Sequence, residues 1–335
     1  MIEKVTRNLR EVITEDELRN VMAQEHRRAY IGFEPSGLVH LGWLMCADKI
    51  KDLVDAGFDV TILLADWHAW INDKLGGNME AIQICGEYIK DAFNAMGVKN
   101  VTYLYAREMV SDPEYWHLVL QIAKQTSLAR AKRAMDIMGR KAEDAEKDIS
   151  KFFYPLMQAA DIFYLKVDAA LGGMDQRHAH MLARDVCTKL GKKKPVALHT
   201  PIISSLQAKE RMDAKMSKSK PESAIFIHDD RETIRRKLKK AYCPEGAVEG
   251  NPVLETARHI LFMHFDALTV ERKYEGEITF KSYEELEDAY VKKTLHPLDL
   301  KGAVADYLEK ILAPVRDYFI QHPQNLKRLQ EYMKK

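Results

Sequence analysis

Three short segments carry side chains whose type and spacing suit work on a nucleotide phosphate. The first is Gly32-Phe33-Glu34-Pro35-Ser36-Gly37-Leu38-Val39-His40-Leu41-Gly42-Trp43. Its glycines let backbone approach a ligand closely, and His40 stands at the start of a helical pattern, where an imidazole N–H and the positive end of the helix dipole could face phosphate oxygens. The second, Lys215-Met216-Ser217-Lys218-Ser219-Lys220, sets lysines three apart among hydroxyls in a stretch with neither strand nor helix period. That composition suits a mobile clamp on a leaving pyrophosphate. The third, Gly172-Gly173-Met174-Asp175-Gln176-Arg177, offers room for a ribose and an acid to accept from its hydroxyls. Each has an ordinary reading when taken alone: a packing histidine, an exposed basic loop, and common turn chemistry.

The elements that must position these segments can be read from periodicity. Arg28 to Phe33 and Asp59 to Leu64 are short apolar runs and read as buried strands, with Leu41 to Ala56 helical between them and Gly57 placed to stop it. Strand, glycine-containing turn, helix and strand make a βαβ unit. A helix at Met79 to Met96 and a strand at Asn100 to Tyr105 continue the alternation. A long helical stretch is expected from Pro113 to Met138, then a charged interruption from Gly139 to Lys151. Tyr154 to Ile162 reads as helix, Phe163 to Ala170 as strand, Gln176 to Leu190 as helix and Val196 to His199 as strand. The expected class is α/β, a Rossmann-like, parallel, doubly wound sheet. From Arg231 onward helical periodicity dominates, with only a doubtful strand at Ile278 to Phe280. The expected division is therefore a catalytic-type domain over 1–229, with an insertion at about 110–150, and a smaller helical domain over 230–335. All three segments then fall at strand ends or beyond the last strand, where open parallel sheets bind ligands.

Composition removes several other classes. The chain has 335 residues, of which 46% are hydrophobic, and 51 Lys+Arg face 50 Asp+Glu for a formal net charge of +1. Collagen-like, mucin-like and disordered readings fail on 16 Gly, 11 Pro and 9% aromatics. No apolar run approaches a bilayer span, and the first residues, MIEKVTRNLREV, lack the apolar stretch of a secretion signal. The expectation is a cytoplasmic protein without membrane attachment. Cys46, Cys85, Cys187 and Cys243 are far apart, which argues for reduced, mostly buried thiols and against a zinc site. Net charge gives no global nucleic-acid signal, but basic residues cluster at Lys124 to Arg140, at Lys192 to Lys194 and at Arg235 to Lys240. Any one such run is usually a solvated helix face; three keep local contact with a polyanion in view.

Together and in this order, HxG after the first strand, GxDQ after a later one and KMSKS beyond the last resemble the signature of class I aminoacyl-tRNA synthetases. The chain is similar to the tyrosyl-tRNA synthetase family of the archaeal and eukaryotic type, from about Tyr30 through the C-terminal part, including Ala241 to Pro252. That resemblance implies an enzyme that joins tyrosine to ATP as tyrosyl-adenylate and then passes the tyrosyl group to the 3′ end of tRNA(Tyr). It also implies a homodimer, ATP as substrate with Mg²⁺, and no tightly bound prosthetic group or resident metal.

Residue by residue, the resemblance implies that Tyr30 and Asp161 receive the phenol hydroxyl of tyrosine, and that Tyr154, Gln158 and Gln176 hold its α-amino group. The spacing agrees, since Tyr154, Gln158 and Asp161 share one helical face. Phenylalanine would leave a buried carboxylate and phenol unpaired. His40, Gly42, Gly173 and Asp175 would contact ATP, with Lys215, Met216, Ser217, Lys218 and Ser219 around the triphosphate and His40, Lys215 and Lys218 as the catalytic groups. Arg177 would touch the acceptor end of the tRNA. Tyr274 would stack on the first anticodon base and Asp299, in Leu295 to Lys301, would read it. One position departs from the family's HxGH: Trp43 stands where a second histidine is usual. Two related readings stay open on sequence, a tryptophanyl-tRNA synthetase and a catalytically silent RNA-binding relative. Tyr30 with Asp161 speaks against the former, because indole donates but does not accept, and intact KMSKS and GMDQ loops speak against the latter.

Overall fold

The computed structural model describes residues 1–135, 148–207 and 221–334 of the chain. Its strands are β1 Glu11–Ile13, β2 Arg28–Phe33, β3 Asp59–Leu64, β4 Thr102–Tyr105, β5 Ala169–Gly173 and β6 Val196–Thr200, followed by β7 Leu268–Arg272 and β8 Gly276–Phe280. The first six form one sheet in the order β1-β6-β5-β2-β3-β4, and β7 and β8 form a separate hairpin. Every pairing in the large sheet is parallel except that of β1 with β6. The chain leaves β2 for β3 on one side and returns to β5 on the other. The order therefore reverses between β2 and β5, and in open parallel sheets the ligand crevice lies outside the carboxyl ends at that point.

Alternation along the strands assigns side chains to two apolar layers. Ile31, Ile62 and Leu64 join a core with Leu44, Ile50, Leu53 and Phe93, and that core continues into Leu254, Leu308, Phe319 and Leu329 of the C-terminal elements. Tyr30 and Leu63 point the other way, into a second core with Tyr115, Met157, Ile162 and Leu182. Tyr30 thus stands on the face covered by the Ser150–Tyr164 helix.

The helices obey their local signals in several places. Gly42–Asp55 ends at a turn in which Gly57 has φ +82 and its N–H donates to the Val54 carbonyl at 2.9 Å. Met79–Ala95 is capped by Asn78, whose side chain accepts from the Ala81 N–H.

Elsewhere the structure corrects the sequence reading. The expected helix from Pro113 to Met138 is broken after Lys124, and Ser127 caps a new helix, Leu128–Ala134, by accepting from the Arg130 N–H. Residues 163–164 belong to the Ser150–Tyr164 helix rather than to a strand, and Lys166 at φ 53 turns the chain into β5. A continuous apolar run fits either element, and only this left-handed residue decides. Residues 174–176 form one 3₁₀ turn before the Arg177–Val186 helix. Two strands have no counterpart in the sequence reading: β1, which is short and polar, and β7, which pairs with β8 across a turn that uses Gly276 at φ +72; the strand expected at Ile278 to Phe280 is the end of β8. The C-terminal elements are otherwise helical, with Arg231–Lys240, Tyr283–Val291, Pro297–Gln321 and Gln324–Met333. The last of these packs back on the Met79–Ala95 helix, where the Asn325 side-chain amide donates to Asp91 at 2.9 Å.

Candidate active site

The crevice is built from the turns that leave β2 and β5. After β2 the chain runs to His40, whose Nδ1 accepts from the Gly42 N–H at 3.2 Å. An accepting Nδ1 leaves the hydrogen of a neutral ring on Nε2, so the turn fixes His40 as a donor at its outer nitrogen. Gly42 suits this close approach, because a Cβ there would lie 3.0 Å from Cε1 and 3.1 Å from Nδ1 of His40 and would press on the ring. The same turn is zipped to the segment just beyond residues 208–220: the Leu41 N–H donates to the Ile225 carbonyl at 2.7 Å, and that of Ile227 donates to the Val39 carbonyl at 3.1 Å.

At the end of β5 the glycines serve close approach rather than unusual dihedrals. A Cβ on Gly173 would stand 2.5 Å from Asp175 Oδ1, and one on Gly172 would stand 2.9 Å from the Gln176 Cβ. Both acid and amide are therefore folded back over the strand end beside the β2 turn.

Behind them lies a buried polar pocket. Gln158 donates to Gln176 Oε1 at 3.1 Å, which joins the Ser150–Tyr164 helix to the β5 turn, while its own Oε1 is buried without a partner. Asp161, one helical turn on, is 1% exposed. Burial and then the Asp161 charge push the Tyr30 phenol well above its ordinary range, so both residues face the same small volume with Tyr30 as a neutral hydroxyl. Tyr154 is likewise held neutral by burial and by Glu34, which its hydroxyl engages. Glu34 in turn accepts from the Asn72 amide at 2.9 Å and lies 3.5 Å from Lys74 Nζ.

Two further groups at this floor escaped the sequence reading. The Tyr115 hydroxyl donates to Asp161 Oδ1 at 2.6 Å, and His68 Nε2 lies 3.1 Å from Asp161 Oδ2. Burial alone would lower the His68 pKa, but Asp161 outweighs it and the net direction is upward. His68 had a usable signal, being a polar residue just beyond the end of β3. Tyr115 had none, since an aromatic on an apolar helix face reads as core.

Trp43 faces inward. Its ring packs against Phe33 with centroids 4.4 Å apart and against Phe93 at 5.9 Å, so the position that carries a second histidine elsewhere is here half-buried against the core. Arg177 donates to Glu11 on β1 at 2.8 Å, and Glu11 also meets His199, which meets the buried His180. Tyr274 is 84% exposed at the tip of the β7–β8 hairpin, and Asp299 is in the first turn of Pro297–Gln321. Lys215, Met216, Ser217, Lys218 and Ser219 lie outside the described residues, as does Arg140 in the basic stretch from Lys124. Along Pro113–Lys124, Leu118 and Ile122 turn into the core, whereas Leu120 is exposed, as is Leu128 at the start of the next helix.

The geometry offers a donor and glycines at one strand end, an acid at the next, and behind them a buried polar cluster that includes a carboxylate and phenols. Comparison with known proteins agrees. Residues 22–313 match the family of class I tRNA synthetases (W and Y). The tyrosine–tRNA ligase of Sulfurisphaera tokodaii is 55% identical over 331 residues, covering 94% of this chain and 91% of the relative. Among solved structures, the tyrosyl-tRNA synthetase of Aeropyrum pernix is 50% identical with a TM-score of 0.91, covering 99% of this chain and 98% of its own. That of Pyrococcus horikoshii, complexed with L-tyrosine, is 41% identical with a TM-score of 0.92, covering 98% of each.

Proposed function

The chain belongs to the class I tRNA synthetases as a tyrosine–tRNA ligase, and from that premise we propose how its residues share the work. ATP is a substrate of this family. The tyrosine ring enters the pocket between β2 and the Ser150–Tyr164 helix, its hydroxyl donating to Asp161 and meeting Tyr30. The ammonium meets Gln158, Gln176 and Tyr154; the buried, partnerless Oε1 of Gln158 is the observation that carries this placement, because a cation at that point satisfies an acceptor otherwise left dry.

The tyrosine carboxylate is already ionised, so adenylation needs no general base. One of its oxygens attacks the α-phosphorus, the bond to the β-phosphate oxygen breaks, and pyrophosphate leaves. His40, donating through Nε2, and Lys215 with Lys218 of the KMSKS segment stabilise the charge that moves onto that leaving group. Gly42, Gly173 and Asp175 shape the nucleotide site, and Met216, Ser217 and Ser219 complete the loop around the triphosphate. Magnesium travels with the nucleotide: it favours phosphate oxygens, and among the described residues no group of three or more His, Cys, Asp and Glu is placed to hold a metal. In the second step a ribose hydroxyl of tRNA(Tyr) attacks the acyl carbon and AMP departs.

Arg177 contacts the acceptor end, and Tyr274 with Asp299 takes the first anticodon base, so residues 230–335 act as the anticodon-binding part and 1–229 as the catalytic part. The family reading also brings a homodimer, supported by the exposed apolar side chains of Trp70, Leu120 and Leu128, and a cytoplasmic site of action. Among the described residues no helix is long and apolar enough to cross a membrane.

ATP–pyrophosphate exchange with each of the twenty amino acids in turn tests the assignment. Exchange with tyrosine alone is expected. Exchange with tryptophan would overturn the pocket, and none with any amino acid would overturn the catalytic roles.

A further inference from the structure

We propose that Tyr115 and His68 are positioning residues for substrate choice: they hold the Asp161 carboxylate from both sides, so that it meets only a side chain bearing a hydroxyl donor. The proposal rests on the reading that Asp161 receives the tyrosine hydroxyl. Its basis is the way three separate helices converge on one carboxylate. Asp161 comes from Ser150–Tyr164, Tyr115 from Pro113–Lys124 and His68 from Asp66–Ile71.

A carboxylate that is 1% exposed is costly unless its oxygens are engaged. Among the described residues no Lys or Arg forms an ion pair with Asp161; the one basic group in that range is the His68 imidazole, whose Nε2 lies 3.1 Å from Oδ2. Tyr115 is 0% exposed and has one hydroxyl hydrogen to give. At 2.6 Å from Asp161 Oδ1 against 3.3 Å from the Met157 carbonyl, that hydrogen goes to the carboxylate, as a charge-assisted bond should.

The groups around His68 are arranged to favour its cationic form. Asp161, Glu34 and Asp66 all raise its pKa, and the Tyr154 ring stands edge-on with centroids 5.2 Å apart. Asp66 is itself fully buried with one carboxylate oxygen lacking a partner. The pocket floor is thus a fixed assembly in which Asp161 cannot turn away from the substrate. Were it free to rotate toward the helix backbone, tyrosine would lose its acceptor and phenylalanine would lose nothing.

Tyr115→Phe deletes one oxygen without changing ring shape, and His68→Asn removes the facing imidazole. Each is compared with wild type in pyrophosphate exchange, using tyrosine and phenylalanine as separate substrates, with Asp161→Asn run in parallel. For Tyr115→Phe the tyrosine KM is expected to rise about tenfold while kcat and the ATP KM move less than about twofold, with kcat/KM for phenylalanine unchanged. His68→Asn is expected to act in the same direction. Equal losses for both amino acids would mean general damage to packing and would overturn the proposal, as would an unchanged tyrosine KM in both variants. If Asp161→Asn relaxes the preference for tyrosine but neither supporting variant does, the positioning role alone fails. If Asp161→Asn leaves the preference intact, the assignment of Asp161 itself fails and the positioning role goes with it.

Discussion

His40 and Phe226 pair as an isolated antiparallel bridge, so the HxG turn and the chain leaving residues 208–220 are held together as a two-strand ribbon. Phe226 is anchored from the C-terminal side: Lys237 Nζ lies 4.8 Å from its ring centroid and donates to the Ala224 carbonyl at 2.8 Å. The turn that carries the imidazole proposed to face the phosphates is therefore held by backbone to a segment that the buried Lys237 anchors. Loss of such a preorganised donor is felt in the chemical step rather than in binding of the amino acid. His40→Ala is expected to slow single-turnover adenylation by more than about tenfold, with tyrosine affinity in equilibrium titration nearly unchanged. A near-normal single-turnover rate would remove His40 from the catalytic set.

Trp43 shows why a family motif should be checked against packing. Its ring sits against Phe33 and Phe93, and Phe33 and Phe93 also meet one another at 4.8 Å, so the indole completes an aromatic triad beneath the turn. Restoring the usual residue with Trp43→His exchanges a large apolar surface for a polar ring. The expected result is a stability loss of roughly 1–3 kcal/mol in chemical unfolding and no gain in pyrophosphate exchange. A faster variant would show that position 43 still addresses the nucleotide.

How much could be read in advance depends on the range of the interactions. The bounds of β2 and β3 match residue for residue, because a short apolar run is a local signal, closed after β2 by Pro35 and Gly37 and opened before β3 by Gly57. The same holds for the helical face that carries Tyr154, Gln158 and Asp161. Contacts that arrive from far along the chain could not be read: Glu11 reaches Arg177 from β1, and Tyr115 reaches Asp161 across 46 residues of sequence. Nothing in the spacing around Tyr115 distinguishes a hydroxyl aimed at a carboxylate from an aromatic filling space. The break at Ser127 does carry a local signal, since a serine hydroxyl accepting from the N–H three residues on is an ordinary helix cap.

Three histidines whose pKa values are depressed, His180, His228 and His259, set an acid limit. His180 lies under the β5 turn, where burial and then the His199 ring depress its pKa to about 3. In the unfolded chain the same group titrates near 6.5, so below that value the unfolded state binds more protons than the folded one and stability falls as pH drops toward 3. At pH 5 this one residue costs roughly 2 kcal/mol relative to pH 7. His228 and His259, each lowered to about 4, act with the same sign. Urea midpoints measured at pH 7 and pH 5 are expected to fall in the wild type and to fall less in His180→Gln. An identical pH response in the variant would show that His180 does not carry this proton uptake.

The hairpin tip gives the last prediction. Tyr274 is 84% exposed, and Lys273 Nζ lies 4.8 Å from its ring centroid. A large aromatic so exposed contributes little to folding, and a lysine beside it favours an anionic strand, so the pair suits an unpaired base with its phosphate. Stacking of one base is worth roughly 1–3 kcal/mol, which corresponds to about tenfold or more in affinity. Tyr274→Ala is therefore expected to raise the KM for tRNA(Tyr) by about tenfold in aminoacylation, while pyrophosphate exchange without tRNA and the urea midpoint stay at wild-type values. Asp299→Ala should behave alike for tRNA, and it should also relax the preference among tRNAs differing at the first anticodon base, because a carboxylate reads an edge whereas stacking does not. If Tyr274→Ala slowed exchange in the absence of tRNA, the hairpin would be serving the catalytic fold, and the anticodon role would have to be withdrawn.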